Sequence, residues 1–146
     1  MSIDDNKMLA HRILAASTNS DVAFLERIVA QDYVQHAPGV PPTRAAFFAF
    51  ARFFNSAFPD GRFHVEDMIG EDDKVLIRWV FEGTHLGAWM GRPASGKHVK
   101  FVGMDLWRFA DGKFVESWFI TDTMGMLRQL GHLPALQFAP AGERRD

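Results

Sequence analysis

Two aspartates in the stretch DLWRFADGKFVESWFITD, residues 105–122, occupy positions where strand alternation calls for apolar side chains. On a strict alternation, Asp105 shares a strand face with Phe101 and Trp107, and Asp122 shares one with Trp118. An ionised carboxylate on such a face is costly unless it is paired, hydrogen-bonded or protonated. Burial would raise the pKa of such a carboxyl group, which could then take and return a proton near neutral pH. Both aspartates are therefore candidates for acid/base catalysis.

Each aspartate also has a structural interpretation. Asp122 could cap a turn or helix that begins at Thr123. Asp105 could form an ion pair with an arginine such as Arg78 or Arg108. Periodicity alone favours neither interpretation, and both alternatives stay open at this point.

Two histidines are further candidates for the same site. His36 ends a short extended segment, and His85 follows FEGT on the same predicted side as Trp79 and Phe81. Either histidine could orient a carboxylate or bind a substrate carbonyl, and either could equally be a hydrogen-bonded structural residue. The sequence contains no cysteine and no HxH or HExxH spacing, so we expect no metal site. It also lacks the glycine-rich and GxSxG motifs of dinucleotide-binding proteins, P-loop proteins and serine hydrolases.

Helices come first along the chain, and long strands follow. Apolar spacing predicts a helix ending near residues 17–19, a second capped by Ser20 or Asp21, and a third capped by Thr43. In the third helix, Phe47, Phe50 and Phe54 share one face. Four strands follow, separated by turn signals: RFHVEDMIGE, KVLIRWVFEGTH, KHVKFVGMDLWRFA and GKFVESWFITD. This order predicts an α+β fold, in which helices cover one face of a curved antiparallel sheet and leave an internal pocket.

Composition sets further limits. The 146 residues suit one domain, residues 1–146, with a loose tail from about residue 137. Fourteen phenylalanines and four tryptophans suit a thick core or the wall of an apolar pocket. The net charge of -2 offers no electrostatic reason to bind nucleic acid or an anionic membrane. No apolar stretch approaches the length of a membrane span, and we expect a cytoplasmic protein.

The order of several short elements resembles that of the SnoaL-like polyketide cyclases, in the nuclear transport factor 2-like superfamily. These elements are DYVQHAPGVPP, FPD, FEGTHLGAWMG, GMD, DGK, ESW with a following aspartate, and LRQLG. The resemblance extends from about residue 8 to residue 131, and Ala37 replaces an asparagine that is common in the family. It implies an α+β cone, with a curved, largely antiparallel sheet wrapped by three N-terminal helices, and assembly as a homodimer or homotetramer.

The same resemblance implies a reaction. Characterised family members close a ring on hydrophobic polyketide esters or ketones by intramolecular aldol condensation, without a cofactor or metal. Asp122 matches the acid/base position, and Asp105 and His36 match positions that orient and polarise the substrate. The residues expected to bind the substrate are His85, Trp79, Phe50, Phe54, Trp107, Trp118 and Tyr33.

Two other functions remain open on the sequence. The same cone could serve a non-catalytic protein that binds a small apolar ligand. A hydratase, dehydratase or isomerase would instead use a His–Asp dyad, for which His36 is the candidate histidine. Ala37 leaves the first alternative open, because it removes an amide that could hold a substrate oxygen.

Overall fold

Within residues 1–136 the fold is α+β, as the sequence predicts, with four helices and a five-stranded sheet. The computed structural model describes residues 1–136, and the tail expected to be loose lies outside the described residues. In chain order the elements are α1 (Ile3–Thr18), α2 (Val22–Ile28), β1 (Val29–His36), α3 (Arg44–Ala57), β2 (Arg62–Glu71), β3 (Lys74–Thr84), β4 (His98–Ala110), β5 (Lys113–Thr121) and α4 (Thr123–Gln129). No helix within residues 1–136 is both long and apolar enough to cross a membrane.

Short polar side chains fix where the helices begin. Ser2 and Asp5 form a reciprocal capping box at the start of α1. Of the two candidates for the second cap, Asp21 is the one whose side chain accepts a hydrogen bond, from the backbone N–H of Phe24. Thr43 caps α3 as predicted, by accepting from the backbone N–H of Ala46. These caps use donors that the first turn of a helix otherwise leaves unpaired.

The sheet is mixed, whereas the sequence predicts an antiparallel one. Its strand order is β1-β5-β4-β3-β2, in which β2 to β5 pair antiparallel and β1 pairs parallel to β5. A parallel neighbour is possible here because β1 and β5 are far apart in sequence, so no tight hairpin has to join them. Beyond the end of β5, the side-chain amide of Gln129 in α4 bonds the N–H and the C=O of Lys100 and covers that edge of β4.

Strand β4 follows the predicted alternation. Val99, Phe101, Trp107 and Phe109 are buried on the face that the helices cover, which we call the inner face. Gly103 lies opposite Trp79, and a Cβ at this position would overlap the Cζ2 atom of the Trp79 indole. The glycine therefore makes room for an indole lying across β4.

Strand β5 departs from the predicted alternation because of a bulge. Phe114 pairs with Phe109, but Glu116 pairs with Arg108, so the strand gains one residue at Val115. The insertion places Ser117 and Phe119 opposite the inner-face residues Trp107 and Asp105. The side chains of Glu116, Trp118 and Ile120 consequently lie on the other face, which we call the outer face. Strict alternation would put Phe114 and Trp118 on one face, and the bulge places them on opposite faces.

Replacing Gly103 with alanine tests the close approach of the Trp79 indole. We expect Gly103→Ala to lower the free energy of unfolding by about 1–3 kcal/mol, because the added methyl displaces the indole. Urea unfolding monitored by tryptophan fluorescence measures the change. The neighbouring Val102→Ala, on the exposed outer face, is the control and should cost less than about 1 kcal/mol. Wild-type stability of Gly103→Ala would show that the indole is not held there.

The cap of α4 gives a second prediction. Oδ1 of Asp122 accepts the backbone N–H of Gly125 at 2.9 Å. Asp122→Ala should cost about 1 kcal/mol of stability, whereas Asp122→Asn should be close to neutral, because asparagine caps a helix about as well as aspartate. Thermal or urea unfolding of the two variants makes the comparison. Equal losses in both would contradict a capping role.

Candidate active site

Asp105 occupies the centre of the inner face, between two tryptophans. Its Oδ1 accepts the indole Nε1–H of Trp79 at 2.9 Å, and its Oδ2 accepts that of Trp107 at 3.0 Å. Trp107 is two residues along the same strand, and Trp79 reaches across from β3 over Gly103. Both indoles are buried, while Asp105 itself keeps some solvent exposure. The carboxyl group is therefore fixed in position but is not sealed in the core.

The surroundings of Asp105 favour its neutral form. Burial raises the pKa of Asp105 to about 6, and the hydrogen bonds from Trp79 and Trp107 only partly oppose this. Neither of the two arginines considered from the sequence, Arg78 and Arg108, pairs with Asp105. Arg78 donates to Asp67 at 2.7 Å and Arg108 donates to Glu116 at 2.8 Å, both on the outer face. The ion-pair interpretation of Asp105 is therefore wrong.

A hydroxyl pair lies beside this carboxyl group. Tyr33 and Ser117 are both buried, and their hydroxyl oxygens are 2.6 Å apart. Burial raises the pKa of Tyr33, and the nearby charge of Asp105 raises it further, so the phenol stays protonated. Ser117 was missed by the sequence analysis because strict alternation places it on the opposite face. The bulge at Val115 places Ser117 on the inner face, and no residue type in the strand predicts that bulge.

Aromatic rings form the walls around Asp105. Phe119 lies opposite it on β5, and the ring of Phe50 in α3 is 6.3 Å from that of Phe119. Phe54 stacks on Phe50 at 6.0 Å. On the other side, Phe63 meets Trp79 edge-on at 5.1 Å. Direct contacts or successive ring contacts thus connect Asp105 with five of the predicted substrate-binding residues, and with two that sequence reasoning missed, Phe63 and Phe119. The five are Trp79, Trp107, Tyr33, Phe50 and Phe54.

His85 belongs to the loop between β3 and β4. It is fully buried, and its Nδ1 accepts the backbone N–H of Ser95 at 3.2 Å and lies 2.9 Å from the Ser95 hydroxyl. Its ring packs against Phe58 at 5.7 Å. These contacts tie the histidine to its own loop, and the predicted role in substrate binding stays a prediction.

His36 and Trp118 lie on the outer face. Their rings stack at 5.1 Å, and His36 Nε2 is 2.9 Å from Oε1 of Glu116. Trp118 pairs with Leu106, so its side chain points away from Asp105. The carboxylate partner of His36 is therefore Glu116, and neither predicted aspartate contacts this histidine.

Asp122 is exposed at the start of α4, where its side chain caps the helix. The three predicted catalytic residues thus lie in three places: Asp105 on the inner face, His36 on the outer face and Asp122 at a helix N-terminus. The expectation that Asp122 sits on a buried apolar face is wrong. Its catalytic role, like that of His36, remains a prediction.

The inner-face arrangement can move a proton. Asp105 offers a carboxyl group with a pKa near neutral pH, and Tyr33 and Ser117 offer hydroxyl donors beside it. Within residues 1–136 no three histidine, aspartate or glutamate side chains cluster as a metal site would require. The described groups therefore provide acid/base chemistry against aromatic walls.

Comparisons with known proteins test the family resemblance of the sequence. The family model of the SnoaL-like polyketide cyclases matches residues 7–130. AclR, a proposed hydroxylase from Streptomyces galilaeus, superposes with a TM-score of 0.85 at 28% identity, over 93% of this chain and 87% of its own. TsrD from Streptomyces laurentii gives 0.82 at 28% identity, over 91% and 99% of the two chains.

A proposed polyketide cyclase, IdmH from Streptomyces antibioticus, superposes with a TM-score of 0.78 at 31% identity, over 86% of this chain and 98% of its own. Among proteins with a curated function, none matches the chain. The match over residues 7–130, on a fold of the same kind, places the chain in the SnoaL-like polyketide cyclase family.

Proposed function

We propose that the protein is a cofactor-independent enzyme of the cyclase type, in which Asp105 is the acid/base. One observation carries the proposal: the Asp105 carboxyl group is held between two indole N–H donors, and no cation within residues 1–136 pairs with it. Burial raises its pKa to about 6. A structural carboxylate would be expected to have a compensating charge, because burial alone destabilises its ionised form. A proton-transfer group benefits from the same destabilisation, since its pKa moves towards neutral pH.

The proposed chemistry is an intramolecular aldol closure. The Asp105 carboxylate removes a proton from an acidic carbon beside a substrate carbonyl, which leaves an enolate. The enolate carbon attacks a second carbonyl carbon of the same chain, forming the new C–C bond and an alkoxide. The alkoxide takes the proton back from the Asp105 carboxyl group, so one residue serves both steps.

The hydroxyl pair supports this scheme. Tyr33 and Ser117 share one hydrogen bond at 2.6 Å, which leaves one hydroxyl hydrogen of the pair available to a ligand. A donor beside Asp105 would stabilise the negative oxygen of the enolate or the alkoxide. We therefore assign the pair the role of oxyanion donor.

The substrate is proposed to be a flat, hydrophobic ester or ketone. Trp79, Trp107 and Phe119 surround the carboxyl group, and Phe50 and Phe54 extend the aromatic surface along α3. Such rings bury much apolar area and favour stacked or edge-on contacts with aromatic ligands. The affiliation with the cyclase family supports a polyketide-like substrate.

The pH dependence of stability tests the environment of Asp105. The ordinary pKa is 3.8 and that in the fold is about 6, so the folded protein binds this proton more tightly than the unfolded chain. The contribution of Asp105 to stability therefore falls as the pH rises from about 4 to about 6, by about 3 kcal/mol, and then stays level.

The free energy of unfolding of the wild type should accordingly fall by about 3 kcal/mol relative to Asp105→Asn between pH 4 and pH 8. Asparagine leaves one indole N–H without an acceptor, which lowers the stability of the variant by the same amount at every pH. The difference in pH dependence between the wild type and the variant is therefore unaffected. A ¹³C titration of the Asp105 carboxyl carbon should show a midpoint near 6. A midpoint at the ordinary value, with parallel stability curves, would contradict the proposed environment.

The catalytic assignment is tested by two matched variants, Asp105→Asn and Asp122→Asn. With an aromatic β-ketoester that can cyclise as the substrate, Asp105→Asn should lower kcat by about 10²–10⁴-fold, since it removes a general acid/base. Asp105→Asn should still bind the ester, as measured by quenching of tryptophan fluorescence. Below pH 6 the wild-type kcat/KM should fall about tenfold per pH unit.

Asp122→Asn keeps the α4 cap and should retain wild-type turnover. The reverse result, with Asp105→Asn active and Asp122→Asn inactive, would transfer the catalytic role to Asp122. Full activity in both variants would show that neither aspartate is the acid/base. Binding without turnover in the wild type would favour the alternative of a non-catalytic protein that binds a small ligand.

A further inference from the structure

The loop between β3 and β4 is attached to the end of α3. The N–H groups of Leu86 and Gly87 both donate to the carbonyl oxygen of Ala57, at 2.9 and 3.1 Å. A Cβ at Gly87 would overlap the carbonyl oxygen of Ser56, so this close approach requires glycine. The loop therefore begins from a fixed point on the helix.

A tight turn in the same loop fixes the position of Trp89. Trp89 and Arg92 exchange two backbone hydrogen bonds, each of 2.9 Å. Met90 and Gly91 form the turn between them with positive φ angles of 49° and 75°, as in a two-residue hairpin turn. Because its backbone is hydrogen-bonded in this way, the loop holds the Trp89 indole in a defined place.

The Trp89 indole is buried among the aromatic side chains of α3. Phe53 stacks on it with ring centroids 5.2 Å apart, and Phe54 and Phe50 meet it edge-on at 5.3 and 5.8 Å. Only 7% of the residue is exposed, and its Nε1–H has no acceptor within residues 1–136. A buried N–H without an acceptor is costly, and most buried indoles have one. Packing alone therefore does not account for this donor.

The other two buried tryptophans show the ordinary arrangement. The Nε1–H groups of Trp79 and Trp107 both donate to the carboxyl group of Asp105. An indole buried in this core can therefore have a bonded N–H group. Of the buried tryptophans in the described part of the chain, Trp89 is the one whose donor is unpaired. An acceptor supplied by a ligand would pair it.

Trp89 and Asp105 lie on one continuous aromatic surface. The ring of Phe50 is 5.8 Å from that of Trp89 and 6.3 Å from that of Phe119, which pairs with Asp105 across β4 and β5. A flat ligand that lies along Phe50 with one end at Asp105 therefore has its other end towards Trp89.

The aromatic shell around Trp89 has a side that faces solvent. Phe50 is 37% exposed and Phe53 is 48% exposed, although both contact the buried indole. Exposed side chains change rotamer within nanoseconds, so a ligand can displace either ring. A route to the indole N–H therefore exists that leaves the sheet intact.

We propose that Trp89 is a specificity-determining residue, whose Nε1–H binds a substrate oxygen remote from the carbon that Asp105 deprotonates. This inference rests on the proposed function, which places the reacting end of the substrate at Asp105. The ligand class is an aromatic ester or ketone that carries a second, uncharged acceptor oxygen, such as a carbonyl. The rings of Phe50, Phe53 and Phe54 carry no charge, so a carboxylate beside them would lack a counter-ion.

The gain in affinity comes from a donor that is unpaired before binding. A hydrogen bond to a ligand usually replaces one to water on each side, so its net contribution is small. The Trp89 N–H is shielded from solvent, so only the ligand oxygen gives up water when this bond forms. We therefore expect the oxygen to lower Kd by about tenfold.

Two ligands that differ in this one group test the inference. Both are naphthalene β-ketoesters, and on the ring edge remote from the ester one carries an acetyl group and the other an isopropenyl group of similar shape. Neither can cyclise, because no second carbonyl lies within reach of the enolate carbon, so titration calorimetry measures Kd without turnover. The wild type should bind the acetyl ligand about tenfold more tightly. Equal affinities, or no binding of either ligand, would refute the inference.

Trp89→Phe removes the N–H group and keeps an aromatic ring. This variant should bind the two ligands equally, whereas the matched control Trp118→Phe, on the outer face, should keep the preference for the acetyl ligand. Far-UV circular dichroism checks that both variants fold. A preference that survives in Trp89→Phe would show that another group binds the acetyl oxygen, and would refute the assignment.

The indole resonance of Trp89 gives a readout on the wild type itself. In ¹⁵N NMR spectra, the acetyl ligand should move the Nε1–H resonance of Trp89 further downfield than the isopropenyl ligand does. The naphthalene ring is common to both ligands, so the difference reports the hydrogen bond. Identical shifts with the two ligands would show that no oxygen reaches this donor, and would overturn the proposal.

These measurements separate the Trp89 site from the catalytic assignment. If Asp105→Asn keeps full turnover while Trp89→Phe abolishes the preference, the acid/base proposal fails and Trp89 still binds the acceptor oxygen. If Asp105→Asn loses turnover while the wild type shows no preference, the acid/base proposal stands and the Trp89 site is refuted.

Discussion

The site depends on one carboxyl group held by two indole N–H groups. Asp105 needs both donors, because no cation neutralises it among the described residues and burial disfavours its charge. The register of β3 against β4 places Trp79 opposite Gly103, and the glycine lets the indole lie over β4 so that its Nε1 reaches Asp105. A larger residue at position 103 would remove one of the two donors. The glycine is thus part of the site, although it supplies no functional group.

The bulge in β5 decides which side chains join that site. With one residue inserted at Val115, Ser117 and Phe119 face Trp107 and Asp105, and Trp118 and Ile120 face outward. In a regular strand without the bulge, Ser117 and Phe119 would lie on the outer face, and Trp118 and Ile120 on the inner face. The inner site would lose the hydroxyl that pairs with Tyr33, and the outer face would lose its aromatic ring. One inserted residue therefore completes both surfaces of the sheet.

Local patterns predicted the parts of the structure that local forces determine. The caps at Asp21 and Thr43, the order of helices and strands, and the inner-face alternation of β4 follow from residue types and spacing. The similarity in the order of motifs also identified the family that the comparison over residues 7–130 establishes.

Pairings between distant residues were not predictable in this way. The parallel position of β1 depends on its pairing with the distant strand β5, and the bulge depends on how β5 pairs with β4. The partners of Arg78 and Arg108 depend on the same register, which places both arginines on the outer face. Alternation could therefore identify Asp105 as unusual, but only the register shows that neither Arg78 nor Arg108 pairs with it.

Two carboxyl groups on opposite faces of the same sheet show how the fold sets their chemistry. Glu116 accepts hydrogen bonds from His36 and Arg108, and these partners hold its pKa below the ordinary range. Asp105 accepts only neutral donors in an apolar setting, and its pKa is raised to about 6. A carboxylate that is already stabilised as an anion is a poor proton acceptor near neutral pH, whereas one destabilised by burial is a good one. The charges of the hydrogen-bond partners therefore support the proposal that Asp105, and not Glu116, exchanges a proton.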